Sequence, residues 1–240
     1  MAEVALGGDM TAAAEAEEWA EAYKQGKKMT TSCCPAFVNM IRQHFPTLLE
    51  HMSTTVSPMC AVSRMLKSED PDVVTVFIGP CIAKKSESLD LSIQGNADYV
   101  LTMEEARAMM RARGVELEPE PNSLQDGSVF GKRFGNGGGV TAAVLECLKE
   151  SGENTDINVM KCNGAAECKK ALLLLRAGKL PADFIEGMAC VGGCVGGPSK
   201  HKSEQEAKKA RDLLIGQADA REVHENLSRY PMDRFSMHRH

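Results

Sequence analysis

Strand-like and helix-like segments alternate along this chain, and that alternation constrains the fold more than any other feature. The run "DVVTVFIGP" predicts a short buried strand, and "ADYVLT" predicts a second strand before the helical segment "TMEEARAMMRARG". Thr102 and Glu105 have the spacing of a capping box at the start of that helix. Downstream, the strands "DINVMKC" and "ADFIEGMAC" flank the helix "AAECKKALLLLRAGK". The pattern predicts an α/β fold with largely parallel sheets flanked by helices.

Helices are also predicted outside these units. The segment from Thr11 to Gly26 is rich in helix formers, and "AFVNMIRQHFPTLLEHM" reads as a helix bent at Pro46. Three more helices are predicted at "SPMCAVSRMLK", "TAAVLECLKESG" and "SEQEAKKARDLLIGQ", the last with a capping box between Ser203 and Glu206.

Composition narrows the classes of function. The 240 residues carry a net charge of -5 with no dominant basic block, which argues against nucleic acid as a partner. No apolar run reaches membrane-spanning length, and the start "MAEVALGGDM" lacks a secretory signal, so we expect a cytoplasmic protein without membrane insertion. The segment Leu117–Ser123, "LEPEPNS", is the best candidate for a boundary between two lobes.

Nine cysteines in such a chain need an explanation. The number is odd and no export signal supports disulfides, so clustered cysteines point to metal or redox chemistry. Three segments, "TTSCCPAFV", "FIGPCIAKKSE" and "FIEGMACVGGCVGG", place thiols in turns made by proline or glycine. These segments hold Cys33, Cys34, Cys81, Cys190 and Cys194.

The spacing of these thiols bears on the metal. A 4Fe–4S cluster needs four thiolates, and adjacent cysteines diverge too much to bind the same small cluster, so one of Cys33 and Cys34 is free for another task. Structural zinc favours paired cysteines, which Cys190 and Cys194 fit, whereas Cys33, Cys34 and the single Cys81 fit it badly. The spacing of the cysteines alone modestly favours an iron–sulfur cluster over a zinc site.

A further glycine run, "FGNGGGV" from Phe134 to Val140, precedes a predicted helix. It is typical of a weak anion-binding loop. No Gly-Lys-Ser/Thr follows, so it does not fit the phosphate-loop pattern.

Taken together, "TSCCPAF", "PCIAKKSE" and "EGMACVGGCVGG" resemble the three signature motifs of the H-cluster domain of FeFe hydrogenases, in the same order. Weaker similarity lies between them, in "HFPTLLEHMSTTVSP", "ADYVLTMEEA" and "FGNGGGV". The resemblance covers about Glu3 to Pro198.

The resemblance implies a metal centre, the H-cluster, with assigned ligands. Cys34, Cys81 and Cys190 would bind a 4Fe–4S cubane, and Cys194 would bind it and bridge to a diiron subcluster. That subcluster carries carbon monoxide, cyanide and an azadithiolate bridge. Cys33 matches the proton-relay cysteine of the family.

It also implies supporting residues around that centre. Lys84 would donate a hydrogen bond to a cyanide, and Glu87 would support it. An outward proton path would use Ser53, Glu15 and Glu18, although each residue type there is common on a helix face or in a turn. The remaining cofactor-binding positions implied are Ser57, Pro80, Phe134 and Met188.

The architecture implied is one bilobed catalytic domain over residues 1–240, with the cluster in the cleft between the lobes. The lobes would span 1–120 and 121–200, followed by C-terminal helices in 201–240. The family's N-terminal strand and helix are missing, which is expected of a fragment, of a minimal form or of a chain that borrows this piece from a partner.

The activity implied is reversible oxidation of dihydrogen to protons, with electrons exchanged with an external carrier such as ferredoxin and the diiron unit inserted by maturation proteins. Three alternatives stay open: a hydrogen sensor, a non-catalytic relative of the iron–sulfur assembly type, and a truncated inactive fragment. The assembly-type relatives lack the relay cysteine, whereas Cys33 is present here. Cys60 and Cys147 are predicted to be core residues, and Cys162 and Cys168 structural.

Overall fold

A computed structural model describes residues 1–116, 125–200 and 202–239. The predicted boundary segment 117–123 lies outside the described residues. Described helices are α1 (Val4–Lys24), α2 (Pro35–His44), α3 (Pro58–Glu69), α4 (Ala83–Ser88), α5 (Met103–Ala112), α6 (Val129–Arg133), α7 (Gly139–Glu150), α8 (Ala165–Arg176), α9 (Glu204–Ile215) and α10 (Val223–Leu227). Described strands are β1 (Met29–Thr30), β2 (Val76–Gly79), β3 (Tyr99–Thr102), β4 (Val159–Asn163) and β5 (Phe184–Met188), and short 3₁₀ helices lie at Pro46–His51, Cys194–Gly196 and Met232–Arg234.

The strands form two parallel sheets. One has the order β1-β5-β4, and the other pairs β2 with β3. Parallel neighbours need crossover connections, and helices supply them, with α4 between β2 and β3 and α8 between β4 and β5. The predicted α/β class with parallel sheets flanked by helices is confirmed. Both capping boxes, at Thr102 with Glu105 and at Ser203 with Glu206, are also present.

Helix α1 is the element around which the largest core forms. It packs against α3, α6, α7 and α10. Its Trp19 is fully buried and stacks on Phe184 of β5, with ring centroids 4.3 Å apart. Asp9, also on α1, is buried and accepts hydrogen bonds from Ser128, which precedes α6, and from the Asn226 side chain of α10. A second core lies between α2, α8 and β5.

Two sequence predictions differ from the structure. Helix α1 begins at Val4 rather than Thr11, because the early glycines are buried against neighbouring elements. The strand predicted in "DVVTVFIGP" is present as β2, but its predicted burial was wrong, since Val76 is 49% and Ile78 is 44% exposed. Strand β2 pairs with β3 in a two-stranded sheet, and in the described part of the chain no layer covers these side chains.

The predicted bend at Pro46 is confirmed: α2 ends at His44, and a 3₁₀ helix continues from Pro46. Over the described residues, no helix is both long and apolar enough to cross a membrane.

Candidate metal centre

The motif cysteines follow the carboxyl ends of three strands, of which β1 and β5 share one parallel sheet and β2 belongs to the other. Cys33 and Cys34 follow β1, Cys81 follows β2, and Cys190 and Cys194 follow β5. In open α/β sheets, this edge is where ligands bind, because loops from several strands meet there.

Backbone hydrogen bonds hold these loops together. The Ser199 amide donates to the Pro80 carbonyl oxygen at 3.3 Å, and the Cys194 amide donates to the Gly135 carbonyl oxygen at 2.8 Å. A hydrogen bond to a side chain also holds the loop after β5: the Gly192 amide donates to Asn163 Oδ1 at 2.7 Å. The loop after β5 is thus anchored to the loop after β2, to the glycine run before α7 and to the end of β4.

Glycine is required at two of these junctions. Gly193 has φ +80°, and a Cβ placed there would lie 2.3 Å from the Gly135 carbonyl oxygen. A Cβ on Gly197 would lie 2.6 Å from the Pro80 carbonyl oxygen. The glycines after the third motif therefore permit the backbone contacts that bring Cys194 and Cys81 to one place.

All five motif cysteines line one cavity of about 370 Å³. Within the described residues, no three Cys, His, Asp or Glu side chains converge closely enough to hold a single metal ion. Four other predicted site residues, Pro80, Lys84, Phe134 and Met188, line the same cavity.

Cys33 and Cys34 have different surroundings although they are neighbours. Burial raises the pKa of the Cys34 thiol, and the backbone amides of Ala189 and Phe37, which donate toward its sulfur, lower it in part. Burial, followed by the negative charge of Glu15, raises the pKa of the Cys33 thiol far above its usual value. Cys34 thus has the backbone donors suited to a ligand thiolate, whereas Cys33 is held as a neutral thiol beside a carboxyl group.

Lys84 is a buried cation at the wall of the cavity, with only 8% of its surface exposed. Its Nζ lies 2.6 Å from Glu87 Oε2. Burial lowers the pKa of Lys84, but the charge and hydrogen bond of Glu87 outweigh it, so the pKa is raised and the ammonium stays charged. Glu87 itself does not line the cavity, and its buried Oε1 has no hydrogen-bond partner in the described part of the chain.

Ser57 and the predicted relay residues Ser53, Glu15 and Glu18 do not line the cavity. Ser57 precedes α3, and its buried hydroxyl has no hydrogen-bond partner among the described residues. Glu15 is fully buried on α1, near Ser53 and the backbone of Ser32. Burial, reinforced by the charge of Glu18, raises the pKa of Glu15 to about 8. Glu18 accepts hydrogen bonds from the Thr54 backbone amide at 3.2 and 3.1 Å.

The glycine run before α7 binds an anion from the protein itself. Glu186 of β5 is buried, and its carboxylate accepts hydrogen bonds from the Gly138 amide at 2.7 Å and the Thr141 amide at 3.0 Å. The run thus has the anion-binding character expected of it, with a side chain as the anion. Glu186 was missed in the sequence because an acidic residue inside a short apolar strand gives no sign of its partner.

The other cysteines lie away from the cavity lining. Cys60 and Cys147 are buried in helices, which confirms them as core residues. The thiols of Cys162 and Cys168, both buried, contact each other through a side-chain hydrogen bond.

Two further residues near the relay were also missed. His238 contacts Glu18, and the Arg239 guanidinium donates to the Ser32 carbonyl oxygen at 2.8 Å. Both come from the far end of the chain, and no spacing pattern links them to the motifs.

Comparison with known proteins agrees with this site. The family described as "Iron only hydrogenase large subunit, C-terminal domain" matches residues 1–198. The periplasmic [Fe] hydrogenase large subunit of Nitratidesulfovibrio vulgaris is 31% identical over 79% of this chain and 56% of its own length. Iron hydrogenase 1 of Clostridium pasteurianum is 28% identical over 86% of this chain and 44% of its own length. The chain thus spans about half the length of these curated relatives.

More distant relatives have other names. A probable cytosolic Fe-S cluster assembly factor of Brugia malayi is 23% identical over 89% of this chain and 58% of its own length. Among solved structures, a variant of the [FeFe]-hydrogenase HydA1 from Chlamydomonas reinhardtii superposes with a TM-score of 0.69 at 21% identity, covering 97% of this chain and 78% of that one. This structural similarity shows a shared fold. The family match over residues 1–198, together with the three cysteine loops around one cavity, shows that the chain belongs to the family of C-terminal domains of iron-only hydrogenase large subunits.

Proposed function

We propose that this chain oxidises dihydrogen reversibly at an H-cluster bound in the cavity. The observation that carries the proposal is the arrangement of five thiols around one cavity, where the buried Cys33 thiol lies under the influence of the Glu15 carboxyl group. Four ligands and one acid–base thiol are what this chemistry requires.

The residues present fit such a centre. Cys34, Cys81, Cys190 and Cys194 lie on separate turns around the cavity, and thiolates are the usual ligands of 4Fe–4S clusters. Cys194 would also bridge to the diiron unit. When bound, the centre supplies a Lewis-acidic iron, a basic amine and an electron store, which together serve heterolytic cleavage of dihydrogen.

Lys84 would orient that group and balance its charge. Its buried ammonium has one protein anion, Glu87, at 2.6 Å, and further N–H donors remain for an anionic cyanide ligand at the cavity wall. Phe134 and Met188 are 5% and 4% exposed and line the same cavity, so they would exclude water from it. Pro80 would fix the turn before Cys81.

Proton movement would start at Cys33. The thiol is buried, neutral and close to Glu15, whose pKa of about 8 lets it both accept and release a proton near neutral pH. Ser53 would pass the proton between Glu15 and Glu18. Ser57, whose buried hydroxyl has no partner among the described residues, does not line the cavity and would support the centre from outside the lining.

Electrons would come from an external carrier such as ferredoxin, and maturation proteins would insert the diiron unit. The similarity to named [Fe] hydrogenases supports this proposal. The presence of Cys33 argues against the assembly type of relative.

The test uses the purified chain, reconstituted without oxygen with iron and sulfide and then with a synthetic diiron mimic. We expect carbon monoxide and cyanide infrared bands and hydrogen evolution from a reduced carrier. Cys33→Ala should keep the infrared bands and lose nearly all activity, whereas Cys147→Ala, in the core, should keep both. A chain that binds iron but never shows the diiron bands would instead be an assembly-type relative or an inactive fragment. Bands without turnover in the parent chain would favour a hydrogen sensor.

A further inference from the structure

The segment 235–239 is attached directly to the loop that follows the predicted relay serine. The Val56 amide donates to the Met237 carbonyl oxygen at 2.8 Å, and the Arg239 amide donates to the Thr54 carbonyl oxygen at 2.9 Å. An antiparallel bridge joins Thr55 to His238 between them. These backbone contacts fix the position of His238 beside α1.

The imidazole of His238 lies against Glu18. Its Nδ1 is 3.2 Å from Glu18 Oε1 and 2.8 Å from Thr54 Oγ1. The Thr54 hydroxyl also hydrogen-bonds to Glu18, and the Thr54 backbone amide donates to the same carboxylate. Carboxylate, hydroxyl and imidazole thus form one connected group, and Thr54 holds the carboxylate toward the ring.

Exposure to solvent rises from the predicted relay residues Glu15 and Ser53 to Glu18 and His238. Glu15 is 0% exposed and Ser53 is 1% exposed, whereas the side chains of Glu18 and His238 are 17% and 44% exposed. Of these four residues, water therefore reaches the His238 imidazole most easily, whereas Glu15 is fully buried.

The charged groups around His238 come from three elements. Glu18 of α1 is the anion at its ring. Arg64 of α3 donates to the backbone carbonyl oxygens of Ser236 and His238, which holds the segment without contacting the ring. The guanidinium of Arg239 is directed to the Ser32 carbonyl oxygen. The arginines thus stabilise the backbone, and the carboxylate contacts the imidazole.

We propose that His238 exchanges protons between Glu18 and solvent and forms the outer end of the proton path; this inference rests on the proposed function. Outward, the Glu18 carboxyl O–H bond breaks as an N–H bond forms at His238 Nδ1, giving a carboxylate and an imidazolium. The imidazolium then loses a proton to water or buffer, and solvent restores the tautomer. The inward direction reverses each step. Imidazole suits this position because one ring nitrogen can accept a proton while the other donates one.

A matched pair of variants separates a proton-transfer role from a structural one. His238→Asn keeps a polar group near Nδ1 but removes the titratable ring. The control is His224→Asn, because His224 Nδ1 lies 2.7 Å from Glu150 Oε2 and its side chain is 46% exposed, similar to that of His238, but it lies on α10 outside the relay.

The first measurement is hydrogen evolution by the cluster-loaded chain across pH. His238→Asn should lower the rate on the order of tenfold, and added imidazole should restore it. His224→Asn should have the parent rate and no response to imidazole. A normal rate in His238→Asn, or a loss that imidazole does not restore, would overturn the inference.

The second measurement needs no turnover. Glu15, with its pKa near 8, carries a proton at pH 6.5, and its carbonyl infrared band shifts when that proton exchanges for deuterium. Glu15→Gln identifies the band. After rapid mixing into D₂O, His238→Asn should exchange Glu15 at least several-fold more slowly than the parent and His224→Asn. Equal exchange rates would overturn the inference even if the parent evolves hydrogen. If the parent evolves no hydrogen but Glu15 still exchanges more slowly in His238→Asn than in the parent, the proposed function is contradicted and the proton path is supported.

Discussion

The Ser199 backbone amide and the Pro80 carbonyl oxygen, 3.3 Å apart, join two loops that carry thiols of the candidate metal centre. One loop follows β5 and holds Cys190 and Cys194, and the other follows β2 and holds Cys81. A cluster held by thiols from separate loops depends on contacts of this kind, because each loop alone is too short to surround it.

Gly197→Ala should separate these loops. The new Cβ would lie 2.6 Å from the Pro80 carbonyl oxygen and 3.0 Å from that of Cys194, so the backbone has to shift. Overpacking of this kind costs about 1–3 kcal/mol. We expect a lower free energy of unfolding and less iron bound per chain after reconstitution, measured by urea titration and metal analysis.

Gly216→Ala is the matched control. Gly216 has φ -64°, and the nearest contact of an added Cβ is 3.4 Å. Iron loading should equal that of the parent. If both alanine variants load iron equally well, the contact between the loops does not position the thiols.

Glu87→Gln should destabilise the fold through Lys84. Removing the anion leaves a buried ammonium without a charge partner, which costs about 3 kcal/mol when one member of a buried pair is lost. Because the pKa of Lys84 is raised in the folded chain, the stabilisation by this pair persists across neutral pH and is lost as pH rises through that pKa. Urea unfolding of both proteins at pH 7 measures the difference.

Glu146→Gln removes the carboxylate from a pair with the same spacing. Glu146 Oε1 lies 2.9 Å from Lys149 Nζ, but the lysine side chain is 67% exposed. This variant should unfold like the parent, because water solvates the freed ammonium. Equal losses in both variants would show that burial of Lys84 has no energetic consequence.

Glu15 should make stability depend on pH. Its pKa is ordinarily 4.5 in an unfolded chain and about 8 in the fold, so between these values the folded chain binds a proton that the unfolded chain has released. The free energy of unfolding should therefore fall as pH rises from 5 to 8. Glu15→Gln should flatten this slope and be more stable than the parent at pH 8, measured by urea unfolding at several pH values.

Glu17→Gln, on the exposed face of the same helix, serves as the control for net charge. Its free energy of unfolding should depend on pH as that of the parent does. If Glu15→Gln shows the same dependence of the free energy of unfolding on pH as the parent, a group other than Glu15 causes it.

Glu186→Ala should weaken the N-terminal end of α7. The amides of Gly138 and Thr141 lose their acceptor, and each unpaired buried donor costs about 1–3 kcal/mol. Glu186→Gln keeps one side-chain oxygen as an acceptor and should lose less. Thermal unfolding ranks the three proteins, and an alanine variant as stable as the parent would contradict this role.

How much of the fold the sequence predicts depends on the range of the interactions. The capping box at Thr102 and the break at Pro46 are local, since their partners lie within four residues, and both are confirmed. The exposure of Val76 and Ile78 was missed, because an apolar β-branched run has the same pattern whether or not another layer covers it.

The same difference between local and long-range interactions decides which parts of the site the sequence predicts. The motifs identify the cysteine loops because each motif is contiguous, and the structure brings those loops to one cavity. Contacts such as that of His238 with Glu18, 220 residues apart, need the folded chain, as does the hydrogen bond between Glu186 and α7. The metal ligands and the relay roles themselves stay predictions until a loaded protein is measured.

The most direct test of the central claim is electron paramagnetic resonance of the reduced, iron–sulfur-reconstituted chain, with iron counted per chain. We predict one 4Fe–4S signal in the parent and in Cys147→Ser, and loss of that signal in single serine variants of Cys34, Cys81, Cys190 and Cys194. An unchanged cluster signal in any two of these four variants would contradict a single cluster held by the three loops.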